Sequence, residues 1–242
     1  MSPEPGLALE PPALGPEVVA ARLAEVRARI ERAAGGPAPV TIVAVTKGFG
    51  PEAVAAAVGA GVEDLGENYA NEMLAKAPMA PRSVRWHFLG EPQRNKLARL
   101  APHVYLWHGL ESGAQAHALA RRRPAAKVLV QVNLAGGARR HGAAEEDVPT
   151  LVGEASAAGL DVRGLMTVAP RSEDRDQARH CFRRVARLAR DLGLAELSMG
   201  MSGDFEVAVE EGATIVRLGR ALFGYRPVRG SLQMPMGGAQ PG

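Results

Sequence analysis

Residues 40–50 read VTIVAVTKGFG, an apolar, β-branched run that meets one lysine, Lys47, and is then broken by Gly48 and Gly50. An ammonium group at the tip of so apolar a strand must be solvated, paired or made to react. Only Lys47, Lys76, Lys96 and Lys127 among the 29 basic residues are lysines, so this composition supplies arginine wherever charge alone is needed. Arginine keeps its proton at any working pH. An amine with a reference pKa of ~10.4 can instead be lowered by desolvation and nearby cations until it is nucleophilic. Lys47 therefore reads as a Schiff-base lysine, with a lysine snorkelling out of the surface as the alternative.

Two glycine-bearing stretches near the other end of the chain suit an anion. In SMGMSGD, residues 198–204, Ser202 can cap the helix that follows, and Gly200 and Gly203 let backbone approach a ligand closely. In RLGRALFG, residues 217–224, Gly219 frees backbone N–H groups at the start of a short last helix. An ordinary turn explains each glycine singly, and an ordinary cap explains Ser202. Jointly they describe a phosphate cradle. Arg217 ends an apolar strand two residues before Gly219; it serves either a buried ion pair or a ring-nitrogen acceptor. A lysine for an aldehyde, a cradle for a phosphate and an arginine for a heteroaromatic nitrogen make up the binding inventory of pyridoxal 5′-phosphate (PLP).

These residues need a scaffold. The 242 residues are 46% hydrophobic and 23% charged, enough for one large domain or two small ones. The net charge of +3 is interspersed, and the Arg121–Arg123 run closes an expected helix without aromatic neighbours, so no nucleic-acid partner is expected. A lone cysteine, Cys181, lies on an apolar helical stripe and is expected in the core; it allows no disulfide framework. Residues 1–16 hold five prolines and read as a disordered leader without a targeting signal. No apolar stretch approaches the ~18 residues of a membrane span, so no membrane contact and a cytoplasmic location are expected.

Val19, Leu23, Val26 and Ile30 predict an amphipathic helix before the first strand, ended by Gly35, Gly36 and Pro37. Strands are expected at 40–46, 62–66, 84–89, 103–107, 127–133, 161–168, 195–199 and 214–218. Helices between them include 51–59, with Pro51 at its first position, and 175–192, with Phe182, Val185, Leu188, Ala189 and Leu192 on one face. The nearly continuous apolar run KVLVQVN fits a strand covered on both faces. Eight such units imply an α/β fold, a single (β/α)8 barrel over 17–226 with an extra N-terminal helix, followed by a flexible tail at 227–242. An open doubly wound sheet is the alternative, but no G-x-G-x-x-G follows a strand. Barrel chemistry gathers past the C-terminal strand ends, where Lys47, Asn68, Met166, Ser198, Ser202, Arg217, Gly219 and Arg220 fall.

The segments AVTK, LGENYANE, WHFLGEPQRNK, VLVQVN, GLMTVAP and LSMGMSGDFEVAVEEGATIVRLGRALFG resemble the YggS/PROSC family of pyridoxal phosphate homeostasis proteins, in matching order from about residue 17 to 226. The resemblance implies a barrel like the N-terminal domain of alanine racemase. It implies Lys47 as the Schiff-base residue, Asn68 near the cofactor hydroxyl, Met166 and Ser198 at the cofactor site and Arg217 facing the pyridine nitrogen. Ser202, with the backbone of Gly219 and Arg220, would hold the phosphate. It further implies a carrier or regulator of the cofactor pool with no established reaction, and PLP-dependent apoenzymes as partners. Gly137 and Arg140 stand where the family has an acid and a lysine, GEPQRNK stands for GHLQSNK, and Arg220 replaces a small hydroxyl residue.

An arginine opposite the ring nitrogen donates and keeps its proton, which leaves the pyridine a poor electron sink. Racemisation needs two bases, and the related racemase takes its second from another domain, which this chain is too short to contain. Tyr69, Tyr105 and Tyr225 are the only tyrosines, each read as a packed ring with a wet tip. A fold-type III enzyme with weak amino-acid racemase activity and a cofactor-free Schiff-base lyase or aldolase remain the alternatives. No histidine spacing suggests a metal; His87 is placed at the barrel mouth as a structural or pocket-wall residue.

Overall fold

The computed structural model describes residues 14–134, 141–170 and 174–226. The leader up to residue 13, Gly137, Arg140 and the tail at 227–242 lie outside the described residues. Helix α1 (Pro16–Ala34) begins with proline at its first turn and buries Val19, Leu23, Val26 and Ile30, the four residues whose spacing predicts it. The chain then alternates: β1 (Thr41–Val45), α2 (Pro51–Gly59), β2 (Asp64–Glu67), α3 (Ala70–Lys76), β3 (Arg85–Phe88), α4 (Leu97–Leu100), β4 (Val104–Leu110), α5 (Gly113–Ala120) and β5 (Lys127–Asn133). A two-residue β6 (Ala143–Ala144) precedes α6 (Val148–Ala157), β7 (Asp161–Thr167), α7 (Arg175–Asp191), β8 (Glu196–Ser198), α8 (Phe205–Glu210), β9 (Ile215–Leu218) and α9 (Arg220–Phe223).

Every pairing is parallel, and the order β4-β3-β2-β1-β9-β8-β7-β5 closes through a β4–β5 pairing. Eight strands therefore form a barrel, while β6 only extends the edge beside Val132 and Asn133. Each of the eight expected strands is present. The second sits later than expected, because Gly61 takes a left-handed φ of 80° and Val62 packs into the turn. The fourth runs three residues further than expected, to Leu110, since the polar His108 finds partners inside the barrel.

Closure divides the apolar residues into two layers. Val43, Val45, Leu89, Leu106, Leu129, Met166 and Ile215 form a cluster of their own, two from β1 at alternate positions and one each from or just beyond five other strands, and fill the interior. The larger cluster lies between strands and helices and includes Trp107, Phe88, Phe182, Phe205 and the buried Cys181. Each of these large side chains contributes about 1.5–3 kcal/mol on burial. With α9 only four residues long, α1 packs against α2, α8 and α9 and completes the helical ring. Arg22 Nη1 donates to Leu222 O, and Arg29 grips both Glu206 oxygens at 3.0–3.1 Å.

Candidate functional site

The two-residue strand period carries β1 from Val43 and Val45 to Lys47 at its C-terminal end, β2 from Gly66 to Asn68 and β9 from Arg217 to Gly219. Gly66 is needed at this level, since a Cβ there would stand 2.8 Å from Val43 Cγ1. The mouth above holds a cavity of about 920 Å³, near the upper end of ligand-site sizes. Lys47, Asn68, Met166, Ser202, Arg217, Gly219 and Arg220 all line it. Ser198 does not: its fully buried hydroxyl lies one level down, against Arg217. Five basic residues, Lys47, Arg175, Arg217, Arg220 and Arg226, face this cavity against two acids, Asp174 and Asp204, a balance suited to an anionic ligand.

Lys47 is half-buried, and its Nζ lies 3.4 Å from Asn68 Oδ1. Its backbone is clamped from behind. Lys76 Nζ donates to Thr46 O at 2.8 Å, to Glu67 Oε1 at 2.6 Å and to Glu72 Oε2 at 3.3 Å. Thr46 Oγ1 donates to the same Glu67 oxygen, and Gly48 N donates to Glu72 Oε2 at 2.7 Å. The residues on both sides of Lys47 are thus held by one buried ion cluster on the outer face of the barrel. Burial pushes the Glu67 carboxyl above its usual range, against the pull of Lys76 and Thr46, and its Oε2 has no partner among the described residues.

Arg217 is 5% exposed, and its Nη1 donates to Ser198 Oγ at 2.6 Å while Nη2 donates to Thr167 O at 2.8 Å. Burial lowers its pKa to about 10, so the guanidinium stays charged at neutral pH. No carboxylate lies within ion-pair distance of it among the described residues; the nearest acidic influence is Asp204, which faces the same cavity and acts on it through space. Ser202 does not cap α8, whose N-cap is Asp204. Its Oγ accepts from Ala221 N at 3.0 Å, stitching the loop after β8 to the start of α9 and leaving the hydroxyl proton to donate. Gly200 serves packing: at φ 89°, a Cβ there would stand 2.6 Å from Ala208 Cβ. Gly203 lines the cavity with open space beside it.

Two expectations change. His87 is 1% exposed inside the barrel, not at its mouth. Tyr69 and Tyr225 are not packed rings, being 57% and 86% exposed, and of the three tyrosines only Tyr225 lines the cavity; Tyr105, 41% exposed, packs its ring against His87 and Lys127 and keeps its hydroxyl outward as expected. Glu91, Glu111 and His141 bring possible ligand atoms within 4.8 Å of one another, although Glu111 already accepts from Gly142 N. Among the described residues, no helix is long and apolar enough to cross a membrane. Asp64, Glu67, Lys76 and His108 escape a motif search; the signal that betrays His87 and His108 is a polar residue at an interior strand position.

The fold and the mouth define a parallel (β/α)8 barrel with an anion-seeking cavity built around a strand-tip lysine. The alanine racemase N-terminal domain family matches residues 20–227, and the chain belongs to it. A pyridoxal phosphate homeostasis protein of Deinococcus radiodurans is 43% identical over 210 residues, covering 85% of this chain and 97% of the relative. One of Pseudomonas aeruginosa is 41% identical over 220 residues, covering 86% and 96%. PipY of Synechococcus elongatus, solved with PLP bound, superposes with a TM-score of 0.76 at 32% identity, covering 85% of this chain and all of PipY.

Proposed function

We propose that this chain binds PLP in the barrel mouth and acts in the homeostasis of that cofactor as a carrier or regulator rather than as a catalyst. The observation that carries the reading is one cavity that gathers the Lys47 amine, the Arg217 guanidinium and the Ser202–Gly219–Arg220 corner. When bound, the cofactor supplies an aldehyde open to an amine, a ring nitrogen that accepts a hydrogen bond and an anionic phosphate. The donor set fits that group. Lys47 offers the amine, and the Thr46 and Gly48 anchors hold its backbone still. Asn68 orients the amine through Oδ1, Arg217 donates toward the ring nitrogen, and Met166 packs the wall. Ser202 would donate a hydrogen bond from its hydroxyl to the phosphate, assisted by the backbone of Gly219 and the charge of Arg220.

The protonated Arg217 donates a hydrogen bond but keeps its proton, which favours holding the cofactor over turning it over. Release to cofactor-dependent apoenzymes and a cytoplasmic location complete the proposal. The test is to load the protein with PLP, reduce it with borohydride and map the pyridoxyl mass by peptide. A modification on the Lys47 peptide that is absent from Lys47→Ala supports the reading, and an adduct elsewhere, or none, ends it. A protein that stays colourless and is trapped only by a phosphorylated carbonyl substrate would instead be a Schiff-base lyase.

A further inference from the structure

A polar chain runs through the barrel beneath the mouth. Arg85 Nε and Nη2 each donate to one oxygen of Asp64 at 2.7 Å, at the N-terminal end of β2. Asp64 Oδ1 lies 2.9 Å from His87 Nε2, His87 Nδ1 lies 2.9 Å from His108 Nε2, and His108 Nδ1 lies 2.9 Å from Ser198 Oγ. Ser198 Oγ in turn receives Arg217 Nη1. All of these residues except Arg85 are buried, and the His108–Ser198 link joins β4 to β8, which are not neighbours in the sheet. It braces the barrel from within.

One placement of the protons satisfies the whole chain with His108 neutral and a single proton on Ser198 Oγ passed along it. Hydrogen bonds from Arg85 and His87 hold the Asp64 carboxyl at about 2 despite its burial, so it only accepts, and His87 Nε2 must donate. Burial keeps the His108 ring neutral, with a single N–H. With that proton on Nε2, His108 donates to His87 Nδ1 and accepts the Ser198 hydroxyl proton at Nδ1. The Ser198 oxygen is then free to accept from Arg217. Every donor points the same way, from the guanidinium toward the carboxylate. A proton on His108 Nδ1 would place two donors on Ser198 Oγ and demand an extra proton on His87. Aligned chains of this kind polarise one another and strengthen.

We propose that His108, acting through Ser198, is a positioning residue for the cofactor site: it holds the Arg217 guanidinium in a fixed plane through neutral oxygens, with no carboxylate hydrogen-bonded to it. The negative charge sits at the barrel floor on Asp64, and the remaining N–H groups of Arg217 stay available to the mouth. This rests on the PLP reading for the identity of what Arg217 meets, but not for the chain itself.

The test begins on the protein without added cofactor. Histidine side-chain 15N spectroscopy at pH 7 should show His108 as a neutral ring with its proton on Nε2; an Nδ1–H tautomer at His108 overturns the proposal. In the loaded protein, His108→Gln should weaken PLP affinity about tenfold, the scale of one charge-assisted hydrogen bond, and shift the absorption maximum of bound PLP. The adduct on Lys47 should remain. In an Arg217→Gln background the His108→Gln effect should vanish, and a full additive effect overturns the proposal. If His108→Gln fails to fold, Ser198→Ala takes its place in the same cycle and the tautomer measurement still decides. Loss of the Lys47 adduct from the parent protein, with the His108 tautomer as expected, would defeat the PLP reading alone.

Discussion

Two buried polar assemblies flank the mouth and hold it by different means. Behind Lys47, the Lys76–Glu67–Glu72 cluster is compact, made of full charges, and grips backbone at Thr46 and Gly48. Beneath Arg217, the chain to Asp64 separates its charges with two imidazoles and a hydroxyl, and grips a side chain. A reacting amine needs freedom at its tip, so fixing its loop is the effective restraint. A planar donor has to be fixed at the donor itself. The outer cluster is therefore expected to govern stability and the inner chain to govern recognition.

The largest effect should come from Lys47→Ala, which removes covalent capture of PLP altogether. The denaturation midpoint should fall less than in Lys76→Met, because the Thr46 and Gly48 anchors do not use the Lys47 side chain; an unfolded variant would break the division. Lys76→Met should come next, costing about 3–5 kcal/mol in denaturant unfolding because Glu67 is left buried without its partner. Loss of PLP affinity without loss of stability in that variant would reverse the roles assigned to the two assemblies.

The two carboxylates should also respond to pH with opposite sign. Asp64, held at about 2 against ~3.9 unfolded, adds stability that is complete above the unfolded value and disappears as pH falls through about 2. Asp64→Asn should erase that acid limb and cost about 2 kcal/mol at pH 7, read from urea midpoints between pH 2 and 7. The burial-raised Glu67 instead contributes stability that is complete below ~4.3 and is lost as pH rises through its folded value. Glu67→Gln should flatten that limb, and matching profiles for the two variants would refute the contrast. Smallest is Arg29→Ala: its pair with Glu206 is about one-third exposed on both sides, and no more than ~1 kcal/mol should be lost.

Much of the scaffold is legible locally. The spacing of Val19, Leu23, Val26 and Ile30 and the proline at 51 place two helices to within a residue, since periodicity and capping depend on neighbours in the chain. Lys47 and Arg217 stand out for the same reason: each is a cation at the edge of an apolar run. Ser202 lines the mouth, as its place after β8 suggests, but its hydrogen bond is not legible locally, because its partner, Ala221, is 19 residues away on α9.

By itself, then, the sequence determined the alternation of strands and helices and the cationic residues placed at the strand tips, because those are properties of short stretches. Only the closed barrel decided what those residues touch. His108 and Ser198 are 90 residues apart, and Lys76 and Thr46 are 30 apart. A polar side chain on an apolar strand shows that a partner must exist, but which partner it finds depends on which strands the closure brings face to face.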